Sequence, residues 1–176
     1  GEPLVTPKFD EFLLGVMRLP LSDVSLTTNG QLLLAKKDVI AESSLSRINV
    51  SLDTLNPLRF KQIARGGDLD TVLCGIDAML ELGLKVKINM VPLRSQNFAE
   101  VPAMLNYCLD RGIELRFIEL MRMGHLLHSN SFTSEFVSME SLLDSIGEHH
   151  EFVRTDAPYD STAVRFQIPD RGVFGI

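Results

Sequence analysis

The chain has 176 residues, enough for a domain with a real hydrophobic core, and its 45% hydrophobic content excludes a disordered chain. A net charge of −6 leaves no general attraction to nucleic acid or to an anionic membrane surface. No apolar run approaches bilayer length and no basic-then-apolar leader opens the chain, so no membrane partner is expected and the cytoplasm is the default location.

Gly1-Glu2-Pro3 signals only a turn. Thr6-Pro7 opens a helix whose residues Phe9, Phe12, Leu13, Val16 and Met17 share one face, and Pro20 ends it. Residues 24–29 alternate Val24 and Leu26 with Ser25, Thr27 and Asn29, the period of two that predicts a strand, and Asn29-Gly30 closes it in a turn. A helix without a good cap follows over 32–41. The clearest alternation of the chain is Arg47 to Thr54, where Ile48, Val50 and Leu52 form an apolar face opposite Arg47, Asn49, Ser51 and Asp53. Asn56-Pro57 reads as N-cap and first helical residue of a short helix ending at Gly66-Gly67.

Asp68 caps the next helix, with Leu69, Val72, Leu73, Ile76, Met79 and Leu80 as its buried stripe and Gly83 at its end. A strand over 84–91 alternates Val86, Ile88 and Met90 with Lys85, Lys87 and Asn89. A helix over 99–111 and a strand over 114–121 follow. Residues 122–137 read as a loop, and Ser138 caps a short helix. The tail holds strand-like pieces at 151–154, 163–168 and 173–176, with a hairpin turn at Asp170-Arg171-Gly172.

Strands alternating with helices predict βα units with parallel strands and right-handed crossovers. Parallel strands buried on both faces read as continuous apolar runs, but these carry Arg, Lys, Asn, Ser and Thr on one face. A barrel or part-barrel around a hydrated interior that holds a polar ligand accounts for that pattern. A closed (β/α) barrel needs roughly 200 residues or more. The chain falls short of that and starts and stops abruptly, which leads one to expect a piece of something longer.

Ligands of such barrels sit at the C-terminal strand ends, here Thr27, Thr28 and Asn29, then Ser51 and Asp53, then Asn89, then Met121. Lys87 and Arg116 lie deeper on inward-facing positions. Each needs a partner, either Asp53 or Glu114 or a ligand anion. Lys87 on a barrel strand also fits a Schiff-base aldolase. Cys74 and Cys108 fall on apolar helix faces and are expected as buried free thiols, too far apart in sequence for a metal site. His125 and His128 have helical spacing but no evident third metal ligand, and His149-His150 reads as a solvated end. Arg65-Gly66-Gly67 reads as a helix stop rather than an RNA-binding box.

Gly1-Glu2-Pro3, Leu26-Thr27-Thr28-Asn29-Gly30, Arg47-Ile48-Asn49-Val50-Ser51-Leu52-Asp53, Lys85-Val86-Lys87-Ile88-Asn89 and Arg116-Phe117-Ile118-Glu119, in this order and spacing, resemble the molybdenum-cofactor biosynthesis protein A (MoaA) family. These are radical S-adenosylmethionine (SAM) enzymes known as GTP 3′,8-cyclases. The resemblance implies an α/β fold, a partial (β/α) TIM-like barrel of the radical SAM type truncated at both ends. Residues 1–150 would form the barrel core and 151–176 the start of a C-terminal β-rich extension. It implies SAM and two [4Fe–4S] clusters as cofactors and GTP as substrate, converted to 3′,8-cyclo-7,8-dihydro-GTP in molybdenum cofactor biosynthesis. Gly1 and Glu2 would lie by the methionyl end of SAM, Ser51 would contact SAM and Met121 would line its adenosyl part. Thr27 and Lys87 would fall on the GTP side, with Arg116 a weaker candidate for the same anion.

The chain departs from the family pattern in three places. Both cysteine motifs that hold the clusters are missing, one glycine rather than two precedes Glu2, and Arg122 stands where proline is common. The expectation is a central fragment, inactive alone, that pairs strand to strand into a homodimer through exposed sheet edges. The rival readings are a radical SAM enzyme with another substrate and a non-catalytic nucleotide-binding module.

Overall fold

The computed structural model describes residues 1–64, 66–122, 131–156 and 163–176. The chain divides into two compact units, one of residues 1–52 and 56–87 and the other of residues 53–55 and 88–176.

In the first unit a 3-10 turn at Pro3–Val5 precedes α1 (Phe9–Val16) and β1 (Ser25–Thr28). A 3-10 turn at Leu34–Lys36 runs into α2 (Lys37–Glu42), followed by β2 (Arg47–Ser51), α3 (Pro57–Ile63), α4 (Leu69–Glu81) and the first half of β3 (Lys85–Met90). β1 and β2 pair in parallel, Leu26 opposite Ile48 and Thr27 opposite Asn49, with α2 in the crossover. The expected alternation holds, since Leu26, Ile48 and Val50 are buried while Ser25, Thr27 and Ser51 are exposed. Asn56 caps α3 by accepting the amides of Leu58 and Arg59, and Asp68 caps α4 by accepting the amide of Thr71.

The helix expected over 32–41 is half realised. No side chain caps it, and the chain makes a 3-10 turn before α2 begins at Lys37. α1 stops at Val16, because the amides of Arg18 and Leu19 turn back three residues, to Gly15 and Val16, in a tightened end ahead of Pro20.

Gly30 fixes how α4 meets the turn after β1. Its φ is +82°, and an added Cβ would lie 2.8 Å from Val72 Cγ1 and 3.1 Å from Val50 Cγ1. A side chain there would be strained and would push α4 off β2. The glycine of Thr-Thr-Asn-Gly is therefore a packing requirement as well as a turn signal.

In the second unit α5 (Val101–Asp110) precedes β4 (Glu114–Phe117), and α6 (Ser131–Glu135) and α7 (Met139–Gly147) precede β5 (Val153–Thr155), β6 (Arg165–Ile168) and β7 (Gly172–Gly175). β7 pairs in parallel with β4 and antiparallel with β6, and β6 pairs antiparallel with β5. The βα alternation thus gives way to a hairpin ribbon whose last strand joins β4. The expected hairpin turn is present, with Asp170 at φ 57°.

Phe174, fully buried, stacks on Phe166 at 5.1 Å and meets Phe117 and Phe152 edge-on at 6.3 and 5.5 Å. α6 lies inside the stretch expected to be loop. Its Ser-Phe-Thr-Ser-Glu sequence has weak helical propensity, and the Phe132–Phe136 contact at 5.5 Å, one turn apart, supports it. Arg65, Met123, Gly124, His125 and His128 lie outside the described residues. Among the described residues no helix is long and apolar enough to cross a membrane.

Candidate functional site

The first unit builds its site on Glu2. One carboxylate oxygen accepts the Leu4 amide at 3.0 Å and the Thr28 hydroxyl at 2.7 Å, and the other accepts the Asn29 amide at 2.7 Å. The Thr28 hydroxyl in turn accepts the Gly30 amide at 3.1 Å, and Asn29 Oδ1 accepts the Gln31 amide at 3.0 Å. Gly-Glu-Pro and Thr-Thr-Asn-Gly are therefore one object, a carboxylate clamped on the C-terminal end of β1. Thr28 is 3% exposed, and its buried hydroxyl depends on that carboxylate.

Thr27 turns to the opposite face from Thr28 and is exposed. Across the ladder Asn49 Nδ2 donates to its hydroxyl at 3.3 Å. One row toward the strand start, Arg47 is taken up by Asp23 at 3.0 Å, and the Ser46 hydroxyl and the Arg47 charge hold the Asp23 carboxyl below its usual range. Ser51, two residues beyond Asn49, is exposed at the end of β2. Lys87 is half-buried on β3, on the alternation it shares with Lys85. Gly1 is exposed beside Glu2. Hydroxyls, an amide and an ammonium along a sheet face are groups that hold a polar, anionic ligand.

In the second unit the expected ligand position Asp53 is a structural brace. Its Oδ1 accepts the Val91 amide at 2.7 Å, and burial pushes its carboxyl above the ordinary value against the pull of that bond. Asn97, fully buried, donates to the carbonyls of Asp53 at 2.8 Å and Val91 at 3.0 Å and accepts the Leu93 amide at 2.7 Å. The Thr54 hydroxyl bonds Glu100. The residues following β2 are thus stapled to those following β3. Asn97 sits in a polar stretch with no periodic signal and Glu100 at the start of the expected helix over 99–111, where nothing local marks its bond to Thr54, so sequence reading misses both.

Of the two partners offered for the inward cations, Glu114 is the one that Arg116 takes, Nε to Oε1 at 2.9 Å. The same carboxylate meets Arg165 on β6 at 3.5 Å. Met121 follows β4 and is 58% exposed.

The residues of this chain do not fit an iron–sulfur cluster. Such a cluster takes three or four cysteine thiolates, and the sequence holds two cysteines. Among the described residues no three His, Cys, Asp or Glu side chains converge to hold a metal ion. Cys108 is buried and its thiol is pushed up to about 12, chiefly by desolvation. Cys74, expected to be buried, is exposed. It lies about 200° around α4 from both Val72 and Ile76, the centre of the buried stripe. One thiol per chain should therefore react with a disulfide reagent at pH 8. At that pH about 10⁻⁴ of Cys108 is thiolate, and it should react only on unfolding. Two fast equivalents in the native protein would contradict this burial.

Residues 1–108 match the model of the Radical SAM superfamily, and the chain belongs to that superfamily. Its similarity to particular members is narrower. It is 39% identical over 159 residues to a GTP 3′,8-cyclase of Saccharophagus degradans, covering 89% of this chain and 47% of that protein. It is 34% identical over 184 residues to a GTP 3′,8-cyclase of Listeria welshimeri, covering all of this chain and 54% of that one. The chain spans about half the length of the curated relatives it matches. Among solved structures, Streptococcus suis SuiB bound to S-adenosylmethionine superposes with a TM-score of 0.55 at 23% identity over 66% of this chain and 27% of SuiB. The fold is accordingly α/β, a partial TIM-like barrel of the radical SAM type.

Proposed function

We propose that this chain is the SAM-holding and GTP-holding centre of a GTP 3′,8-cyclase acting in the cytoplasm in molybdenum cofactor biosynthesis. The observation that carries the reading is the Glu2 clamp at the end of β1 together with the polar Thr27–Asn49–Ser51 face, in a chain whose relatives bear that name. Gly1, Glu2 and Ser51 would take the polar methionyl end of SAM, and Met121 its adenosyl part. Thr27 and Lys87 would take GTP, Lys87 through phosphate. SAM supplies the radical when cleaved. The chain's own residues bind and orient the two ligands, and with two cysteines in all they bind without turnover.

Calorimetric titration of the 176-residue chain with GTP and with SAM tests this. Lys87→Met should weaken GTP about 100-fold and Thr27→Val about tenfold, with SAM unchanged. Unchanged GTP affinity in both variants would move the chain to another radical SAM substrate. Product formed from GTP and SAM by the chain alone would refute its inactivity.

A further inference from the structure

Asn29-Gly30 is the one Asn-Gly pair in the chain. An asparagine side-chain carbonyl is open to attack by the main-chain nitrogen of the next residue, and a glycine there has no Cβ to crowd the approach. In that reaction the bond from Gly30 N to Asn29 Cγ forms, the Cγ–Nδ2 bond breaks, and the amide proton leaves with Nδ2 as ammonia. Water then opens the succinimide at either carbonyl. One opening gives aspartate, and the other gives isoaspartate, which adds a methylene to the main chain.

The fold holds the two reacting groups apart. Asn29 is exposed, so water reaches its side chain, while Gly30 is buried. The Gly30 amide, the nucleophile, donates to Thr28 Oγ1 at 3.1 Å, and the Thr28 hydroxyl is itself fixed on Glu2 at 2.7 Å. Asn29 Oδ1 accepts the Gln31 amide at 3.0 Å, and the Asn29 amide donates to Glu2 at 2.7 Å. Val50 and Val72 leave Gly30 little room to swing, since each has a methyl within 3.1 Å of its Cβ position. Ring closure must turn the Asn29–Gly30 peptide, and that turn breaks the Gly30–Thr28 bond that Glu2 holds in place.

We propose that Asn29 is a deamidation site latched by Glu2: the ring closes only while the clamp is open, and the product keeps the clamp from re-forming. Either product sets a second carboxylate on the residue whose amide Glu2 binds, and like charges so placed repel. Isoaspartate also lengthens the main chain between the Asn29 and Gly30 amides, so the two no longer reach Glu2 and Thr28 together. The site is a one-way record of a lost clamp. It stands on the clamp geometry and not on the SAM or GTP assignment.

The test incubates the 176-residue chain at neutral pH and follows the peptide containing Asn29 by mass and chromatography, which separate asparagine, aspartate and isoaspartate. The folded wild type should convert at least about tenfold more slowly than the same chain unfolded in urea. Thr28→Val and Glu2→Gln should each convert about tenfold faster than the folded wild type. Asn97→Ala, which loosens the second unit instead, should convert at the wild-type rate, an outcome that gating by global unfolding does not give. In the isoaspartyl product the amides of residues 28–31 should exchange hydrogen faster than in the unmodified chain. Melting curves confirm folding, and the folded and urea-unfolded wild type carry the test if both clamp variants unfold. Equal rates in folded and unfolded wild type, unchanged rates in the folded clamp variants, or an Asn97→Ala rate matching that of Thr28→Val would each overturn the latch. Unchanged exchange in the isoaspartyl product would overturn its one-way character.

Discussion

Asn97→Ala should lower the unfolding free energy by about 3 kcal/mol, the largest loss expected from a single polar truncation in this chain. The side chain has no solvent exposure, and all three of its hydrogen bonds go to backbone groups, the Asp53 and Val91 carbonyls and the Leu93 amide. Alanine leaves those groups buried without partners, and the space it opens is too polar to collapse dry. Urea titration followed by circular dichroism reads the loss as a lower midpoint at unchanged slope.

Asn97→Asp separates hydrogen bonding from volume. It keeps the shape and the acceptor for Leu93, but places an oxygen against two carbonyls. A carboxyl in that position is driven to stay protonated, so its folded-state pKa rises above the unfolded value. The penalty is therefore full above the folded pKa and is relieved as pH falls through it. Asn97→Asp should be nearly as destabilised as Asn97→Ala at pH 7 and recover part of the loss at pH 4. Equal losses at both values would mean that Asn97 only fills space.

The contrast between Asn97 and the β2 stretch explains what the sequence made legible. Arg47 to Asp53 announces itself because a strand packed on one side alternates with period two, and Ile48, Val50 and Leu52 are buried as that period requires. The caps at Asn56, Asp68 and Ser138 are local, one side chain bonding an amide two or three residues on, and each forms. Asn97 bonds Asp53 across 44 residues of chain, and no local pattern records such a contact.

The Glu114 carboxylate shared by Arg116 and Arg165 is equally absent from any local pattern, because it depends on β4, β7 and β6 coming together in the sheet. Cys74 is exposed although its sequence neighbours are apolar, because the 3.6-residue period turns it away from the face they bury. At the candidate site the residue types were readable, since hydroxyls, amides and cations on one strand face require a wet partner. Their division of labour was not. Thr27 and Thr28 are adjacent, yet one is exposed on the open face and the other is spent inside on Glu2.

That division makes Glu2→Gln the most informative change at the site. Glutamine keeps the volume and one acceptor oxygen, enough for the Leu4 amide and the Thr28 hydroxyl. Its amide nitrogen then faces the Asn29 amide, donor against donor, where the carboxylate accepted a 2.7 Å bond. Losing that charge-assisted bond should cost about 2 kcal/mol of stability. Under the proposed reading the lost charge also faces the ammonium of SAM, and SAM affinity should fall about 30-fold while GTP affinity holds. Thr28→Val is the control, because it breaks the same clamp from the other side and leaves the charge in place. It should lower stability to a similar degree and bind SAM as the wild type does. If both variants lose SAM equally, the clamp acts only by holding the end of β1 in shape. If neither does, Glu2 is a brace and the methionyl end of SAM is held elsewhere.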